Sequence, residues 1–170
     1  MCIKNCKKRC KGQQVIPYKY CPSHKIIYIG TNKIKVGLSH KCKALVLQCI
    51  DFRLVDDAVY FMNKIGYKNN YDNFILAGAS LSINQKSWKE TLIEHVKISV
   101  SLHEIQDIII IDHIGCGYYK KKYGPLIPED EEKLHLQNQR KFKDVFTKLF
   151  PNLNIQGYLM YLDGSVSKLL

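Results

Sequence analysis

The chain has 170 residues, of which 46% are hydrophobic and 24% are charged. This composition predicts one globular domain, at most with a short appendage, and excludes wholesale disorder. No apolar run approaches the roughly 20 residues that a membrane span needs. The first residues also lack the apolar core of a secretory signal, so we expect a cytoplasmic protein in a reducing compartment, without membrane attachment.

The net charge of +11 comes from the N-terminal part of the chain. Residues 1–50 contain 11 Lys or Arg and no acidic residue, whereas residues 51–170 contain 15 charges of each sign. A uniformly basic chain would suggest a nucleic-acid-binding fold. This distribution instead indicates a neutral body that carries a basic N-terminal segment.

The hydrophobic pattern predicts the elements in chain order. A hairpin is predicted over 26–36, with its turn at 30–32. Short apolar runs then predict buried strands at 44–47, 74–77, 108–111 and 155–162. Helical spacing predicts helices over 54–65, from Ser87, where Ser87 to Glu90 form a capping box, and from Pro128 to about Phe150. The segment after Cys116 is predicted to be a loop.

This β-α-β-α-β-α-β order predicts the α/β class, with a mostly parallel central sheet and helices on both faces. Three parts are expected: a basic, Cys-rich leader at 1–25, a connecting hairpin or linker at 26–41, and the α/β domain at 42–170. In open sheets of this kind, ligands bind beyond the carboxyl ends of the strands.

Two motifs stand at such strand ends, Cys49-Ile-Asp51-Phe-Arg53 and His113-Ile-Gly-Cys116. Neighbouring parallel strands would bring two cysteines and one histidine together. Structural zinc sites use four protein ligands, whereas catalytic sites use three and keep one position open, so this number favours a reactive metal. Asp51 and Arg53 lie two residues apart in an extended segment, which lets the guanidinium hold the carboxylate in a bidentate pair.

Over residues 43–165 the sequence resembles the β-class carbonic anhydrases, which carry Cys-x-Asp-x-Arg and, some sixty residues later, His-x-x-Cys. The separation here is 64 residues, and 77–80 resemble the family's Ala-Gly-Asn segment. The resemblance implies that Cys49, His113 and Cys116 bind Zn²⁺ and that a zinc-bound hydroxide hydrates CO₂ to bicarbonate. It further implies that Asp51 orients the hydroxide while Arg53 holds the Asp51 carboxylate away from the metal. In a closed state, Asp51 would instead become a fourth ligand of the metal.

Several positions depart from that family's pattern. Phe52 replaces the usual Ser, and Ala79-Ser80 replace polar groups of the usual segment. The alternatives are therefore a zinc hydrolase of the same fold acting on COS or CS₂, and an inactive zinc-binding paralogue with a nucleic-acid-binding leader. The resemblance also implies a homodimer or a higher homo-oligomer.

The leader contains a second set of metal-ligand residues. Its spacing is similar to short leaders with three cysteines and one histidine on proteins of large DNA viruses. This similarity predicts a second, structural zinc at Cys2, Cys10, Cys21 and His24, with Cys6 as an alternative ligand. A disordered tail with incidental cysteines is the competing interpretation. Nucleic-acid contact is a further hypothesis, through Lys4, Lys7, Lys8, Arg9 and Lys11.

Overall fold

The computed structural model describes residues 18–21, 26–29 and 40–170. The chain divides into two compact units, residues 1–39 and 40–170. In the first unit, strand β1 (Tyr18–Cys21) pairs with strand β2 (Ile26–Ile29) in the antiparallel sense. The first strand of the predicted hairpin is confirmed as β2. Its partner, however, is β1, which precedes it in the chain, and the second arm predicted after residue 32 lies outside the described residues. The three-part division of the chain stays a prediction.

The second unit contains a five-stranded sheet in the order β4-β3-β5-β6-β7. The strands are β3 (Ala44–Gln48), β4 (Tyr71–Ile75), β5 (Asp107–His113), β6 (Asn154–Met160) and β7 (Val166–Lys168). All neighbouring pairs are parallel except β6 and β7. Gln48 lies opposite Ile75 on one side and Ile111 on the other, so β3, β4 and β5 end close together.

Four helices surround this sheet: α1 (Val55–Lys64), α2 (Lys86–Ile98), α3 (Gly117–Tyr123) and α4 (Pro128–Leu149). Strand residues alternate between two cores. Leu45, Leu47, Ile108 and Ile110 face α2 and α4, with Leu92, Val96, Phe142 and Phe146. Val46, Ile109 and Ile111 face α1, with Ala58 and Met62. The α/β class with a mostly parallel, helix-covered sheet is confirmed.

Local predictions need correction in three places. The second strand occupies 71–75 rather than 74–77, because the chain leaves the sheet for a turn at Gly78 with φ +71°. Ser87 is not a cap: α2 follows a 3-10 segment (Ala79–Asn84), and Gln85 occupies the N-cap position without a side-chain bond. The predicted loop after Cys116 is helix α3. Among residues 40–170 and the two short strands, no helix has the length and apolar character that crossing a bilayer requires.

Candidate metal centre at the carboxyl end of the sheet

Three donor side chains meet where β3 and β5 end. Cys49 follows β3 directly, His113 is the last residue of β5, and Cys116 stands immediately before α3. Their donor atoms all lie within 4.8 Å of one another. The Sγ atoms of Cys49 and Cys116 are 3.9 Å apart. Two thiolates bound at ~2.3 Å to a tetrahedral zinc ion would be about 3.8 Å apart, so the thiol spacing fits that ion.

The His113 side chain is oriented as a ligand. Its Nδ1 donates to the carbonyl oxygen of Ile114 at 3.0 Å, which leaves the lone pair on Nε2. That Nε2 atom is buried and has no hydrogen-bond partner among the described residues. A buried, unpaired imidazole nitrogen is costly unless something coordinates it, so its position beside two thiols fits a metal ligand.

The two thiols are electrostatically coupled. The contact with Cys116 lowers the pKa of Cys49, helped by His113 and by the backbone N–H of Gly78, which donates to the Cys49 sulfur at 3.3 Å. The same contact, together with burial, raises the pKa of Cys116. The pair therefore readily releases one proton and retains the other. A bound cation would displace this second proton and be ligated by two thiolates.

Asp51 and Arg53 form the pair that the sequence predicts. Nε of Arg53 donates to Oδ1 of Asp51 at 2.9 Å, and Nη2 donates to Oδ2 at 2.6 Å. Nη2 also donates to the carbonyl oxygen of Gly115 at 3.1 Å, which ties the pair to the Cys116 segment. Oδ2 of Asp51 lies 3.8 Å from Nε2 of His113. The Arg53 guanidinium lowers the pKa of Asp51 to about 2, so the carboxylate is charged at every ordinary pH.

A cleft of about 540 Å³ opens beside this cluster. Its walls include the donors Cys49 and Cys116, the pair Asp51 and Arg53, and a mostly apolar remainder: Ile50, Phe52, Ala77 and Tyr118, with Lys121 also on the wall. Phe52, at the position where the sequence departs from the resembled family, is 84% exposed. Cys49 and Cys116 therefore face a cleft that a small molecule can enter, whereas His113 approaches the same point from the buried side.

Glu131, on α4, positions the segment between His113 and Cys116. Its Oε2 accepts from the backbone N–H of Gly115 at 3.0 Å, and its Oε1 accepts from that of Cys116 at 2.9 Å. Burial opposes ionisation, but His135 and these two N–H groups prevail and lower the pKa of Glu131. The local sequence does not mark Glu131 for this role, because acidic residues in the first turn of a helix are also expected as a complement to the helix dipole.

Behind Glu131 lies a buried polar network. His135 sits between two carboxylates, with Nδ1 3.3 Å from Asp112 and Nε2 3.6 Å from Glu131. These contacts are too long or too bent for good hydrogen bonds, so we describe them as ion pairs. Burial would lower the pKa of His135, but Asp112 and Glu131 outweigh it and raise the pKa to about 9. Asp112 also accepts from the backbone N–H and the hydroxyl of Ser80.

Residues 39–169 match the family model for "Putative carbonic anhydrase". The chain belongs to this family. Two bacterial proteins are similar to this chain along most of their length. An uncharacterized protein of Rickettsia bellii (strain RML369-C) is 31% identical over 151 residues, which cover 85% of this chain and 92% of the relative. An uncharacterized protein of Rickettsia conorii (strain ATCC VR-613 / Malish 7) is 32% identical over 151 residues, which cover 85% and 81%.

Solved carbonic anhydrase structures, among them a β-carbonic anhydrase, share the fold of this chain. Isoform I from Trichomonas vaginalis superposes with a TM-score of 0.55 at 20% identity, covering 79% of this chain and 85% of that chain. Carbonic anhydrase from Glaciozyma antarctica gives a TM-score of 0.53 at 15% identity, covering 82% and 88%. The resemblance to the β class that the two motifs indicate is therefore confirmed at the level of family and fold.

The second predicted zinc site has a different outcome. Cys2, Cys6, Cys10 and His24 lie outside the described residues, and Cys21 is described only as the last residue of β1. The basic residues at 4–11 also lie outside them. A structural zinc in the leader stays a prediction, and nucleic-acid binding gains no support from the family match or the fold.

Proposed function

We propose that this chain is a zinc-dependent carbonic anhydrase that hydrates CO₂ reversibly to bicarbonate. The observation that carries the proposal is the arrangement at the sheet end: three donors, Cys49, His113 and Cys116, converge beside an open cleft that Cys49 and Cys116 line, with an ionised carboxylate next to them. Three protein ligands and a cleft beside them are the composition of a catalytic zinc site rather than a structural one.

Asp51 and Arg53 are the proposed catalytic pair. When bound, a zinc ion supplies a Lewis acid that makes a water molecule nucleophilic near neutral pH. Asp51 would then accept a hydrogen bond from the nucleophile and orient it. Because the pKa of Asp51 is about 2, its carboxylate stays ionised and acts only as a hydrogen-bond acceptor. Arg53 engages both carboxylate oxygens and the Gly115 carbonyl, so the carboxylate is held at a fixed angle and kept from ligating the ion.

The cleft suits a small, uncharged electrophile. Apolar side chains line most of it, which favours CO₂ over water, whereas Lys121 and Arg53 supply positive charge for the bicarbonate anion. The described thiols of Cys42, Cys49 and Cys116 are all free of disulfides, which supports work in a reducing compartment.

The test is stopped-flow CO₂ hydration by full-length protein whose zinc content per chain has been measured, between about pH 6.5 and 9. Asp51→Ala is expected to lose most of the turnover and keep its zinc. Asp57→Ala, which removes an exposed carboxylate from the first turn of α1, is the matched control and should retain turnover. Absence of turnover from zinc-replete protein over this range would refute the proposal. A protein that only binds zinc would have no turnover for Asp51→Ala to remove.

A second candidate substrate follows from Phe52. An exposed aromatic ring at the cleft makes the entrance less polar than a serine would, and this favours a less polar electrophile such as COS or CS₂. Release of hydrogen sulfide from COS is the assay. If Phe52 sets this preference, Phe52→Ser will lower the rate with COS relative to the rate with CO₂, and an unchanged ratio of rates would exclude the role.

We also propose that a second copy of the chain covers the apolar surface next to the site. A groove at the β4 edge of the sheet is lined in part by Ile50, Val55, Val59 and Ile75, each exposed by 44% or more. Surfaces of this kind mark protein interfaces. Light scattering after gel filtration should give at least a dimer for the natural chain and a smaller species for Val59→Lys. A monomeric natural chain would refute the proposal.

A further inference from the structure

A second group of donor side chains lies at the opposite end of the sheet. Cys42 lies two residues before the start of β3, Asp72 is the second residue of β4, and His103 ends the short helical turn that follows α2 (Ser99–His103). One donor atom from each lies within 4.8 Å of the others. β3 and β4 are parallel, so this group marks their amino ends, whereas Cys49 marks the carboxyl end.

Backbone hydrogen bonds hold the three segments together. The N–H of Cys42 donates to the carbonyl of His103 at 3.0 Å. The N–H of Lys43 donates to the carbonyl of Asn70 at 3.0 Å, and the N–H of Gln106 donates back to Lys43 at 2.9 Å. The fold itself therefore brings the donor atoms together, so a ligand that bound them would pay little entropy for ordering the chain.

The side chains form an arrangement that a cation would complete. Nδ1 of His103 lies 2.9 Å and 2.8 Å from the two oxygens of Asp72. The Cys42 thiol donates to its neighbouring Ala44 carbonyl at 3.5 Å, and burial together with the Asp72 carboxylate raises its pKa. The side chains of His103 and Asp72 are 33% and 26% exposed, so solvent reaches the group. A divalent ion would neutralise the like charges of a thiolate and a carboxylate placed side by side.

We propose that Cys42, Asp72 and His103 hold a second divalent metal ion of the zinc class. Thiolate, carboxylate and imidazole are all donors that zinc accepts, whereas magnesium and calcium select oxygen donors. The ion would join the start of β3, the start of β4 and the segment after α2, and water would complete its coordination. This site is separate from the proposed catalytic one and does not depend on the carbonic anhydrase activity.

The competing interpretation is an ordinary ion pair between His103 and Asp72, with a thiol nearby by chance. The two interpretations differ in what the sulfur does. A metal ion bound at this group must be ligated by Cys42, whereas an ion pair leaves the thiol free.

A variant in which every cysteine except Cys42 is replaced by serine makes this difference visible. Titration of the full-length variant with Co²⁺ should give one ion per chain and a near-ultraviolet thiolate-to-cobalt charge-transfer band, which only Cys42 can supply. Asp72→Asn and His103→Asn, introduced into this background, should weaken Co²⁺ binding by more than about tenfold. His95→Asn is the matched control, since His95 packs on Phe74 and is not part of the group. No band, or a band and affinity unchanged by both substitutions, would overturn the proposal.

Loss of six cysteines can impair folding, so a second measurement uses the natural chain. Native mass spectrometry of protein saturated with Zn²⁺ should show one ion fewer in Cys42→Ser and in His103→Asn than in the natural chain and in His95→Asn. Circular dichroism checks that each variant is folded. Equal zinc content in all four folded proteins would refute the second site, whatever the outcome for the catalytic one.

Discussion

Replacing Glu131 by glutamine tests whether a carboxylate on α4 positions the segment that carries Cys116. The two oxygens of Glu131 accept from two successive backbone N–H groups, those of Gly115 and Cys116. Glutamine has the same shape but only one oxygen, so its NH₂ group must face one of these N–H groups. The substitution also takes away one of the two carboxylates that flank His135.

The magnitude follows from the unpaired donor. Glu131 is 6% exposed, so water cannot readily replace the lost acceptor. A buried donor left without a partner costs about 1–3 kcal/mol. If the cost appears mainly when Cys116 is held as a ligand, zinc binds about 5- to 150-fold more weakly, at ~1.4 kcal/mol per factor of ten. Partners of metal ligands generally contribute 10–100-fold, and we expect a loss in that range.

Competition with a chromophoric chelator measures the zinc dissociation constant of each variant. Glu129→Gln is the matched control, because Glu129 lies in the same first turn of α4 and is exposed. The control should bind zinc as the natural chain does. An unchanged constant for Glu131→Gln, in folded protein, would refute the positioning role, since the segment would then keep its geometry without the carboxylate.

Three further predictions concern stability, measured by urea unfolding. Gly78→Ala should lower the free energy of unfolding more than Gly66→Ala. Both glycines have positive φ, but a Cβ at Gly78 would lie 2.9 Å from Tyr118, whereas a Cβ at Gly66 would have nothing within 4 Å. Equal losses of stability would exclude the contact with Tyr118. The pKa of His135 is raised to about 9, so its protonated ring should add to the free energy of unfolding, on the order of 3 kcal/mol. This contribution is present below about pH 6.5 and is lost as the pH rises through 9. If His135→Gln unfolds with the same pH dependence as the natural chain, this prediction is contradicted. Phe142→Ala, at a fully buried position, should cost about 3–5 kcal/mol, and a cost below 1 kcal/mol would contradict that packing.

The central strands are predictable because their burial leaves a local signal. Residues 108–111 are four consecutive isoleucines in the middle of the sheet, with neighbours on both edges and helices on both faces. A run that is apolar on every residue is what such a position requires. The donors Cys49 and His113 stand at the ends of these runs, so their proximity follows from parallel pairing alone.

The edge strand β4 is harder to predict, because its burial is partial. Its sequence Tyr-Asp-Asn-Phe-Ile has Asp72 and Asn73 in the middle, so it contains no run of apolar residues like that of β5. A search for apolar runs therefore shifts the strand toward residues 76 and 77, where the chain has left the sheet. The cause is physical: an edge position lets polar side chains reach solvent, and the periodic signal weakens.

Long-range polar contacts leave no local signal. Glu131 reaches back across 15 residues to Cys116, and Asp72 meets His103 across 31. Neither pairing is marked by spacing or composition, since each depends on how a helix or turn docks on the sheet. The sequence locates the donors at the carboxyl end of the sheet but not the residues that hold them, nor the group at the other end.

The pairing of β3 with β5 has a consequence for how the protein is made. Cys49 and His113 are 64 residues apart in sequence and become neighbours only when these strands have found each other. Contacts between distant residues form slowly, because the intervening chain must first be closed into a loop. During synthesis, Cys49 is exposed well before His113 and Cys116 exist. We therefore expect acquisition of the proposed zinc ion to be a late step of folding, so that the rate of zinc uptake by a refolding chain would measure when the centre of the sheet closes.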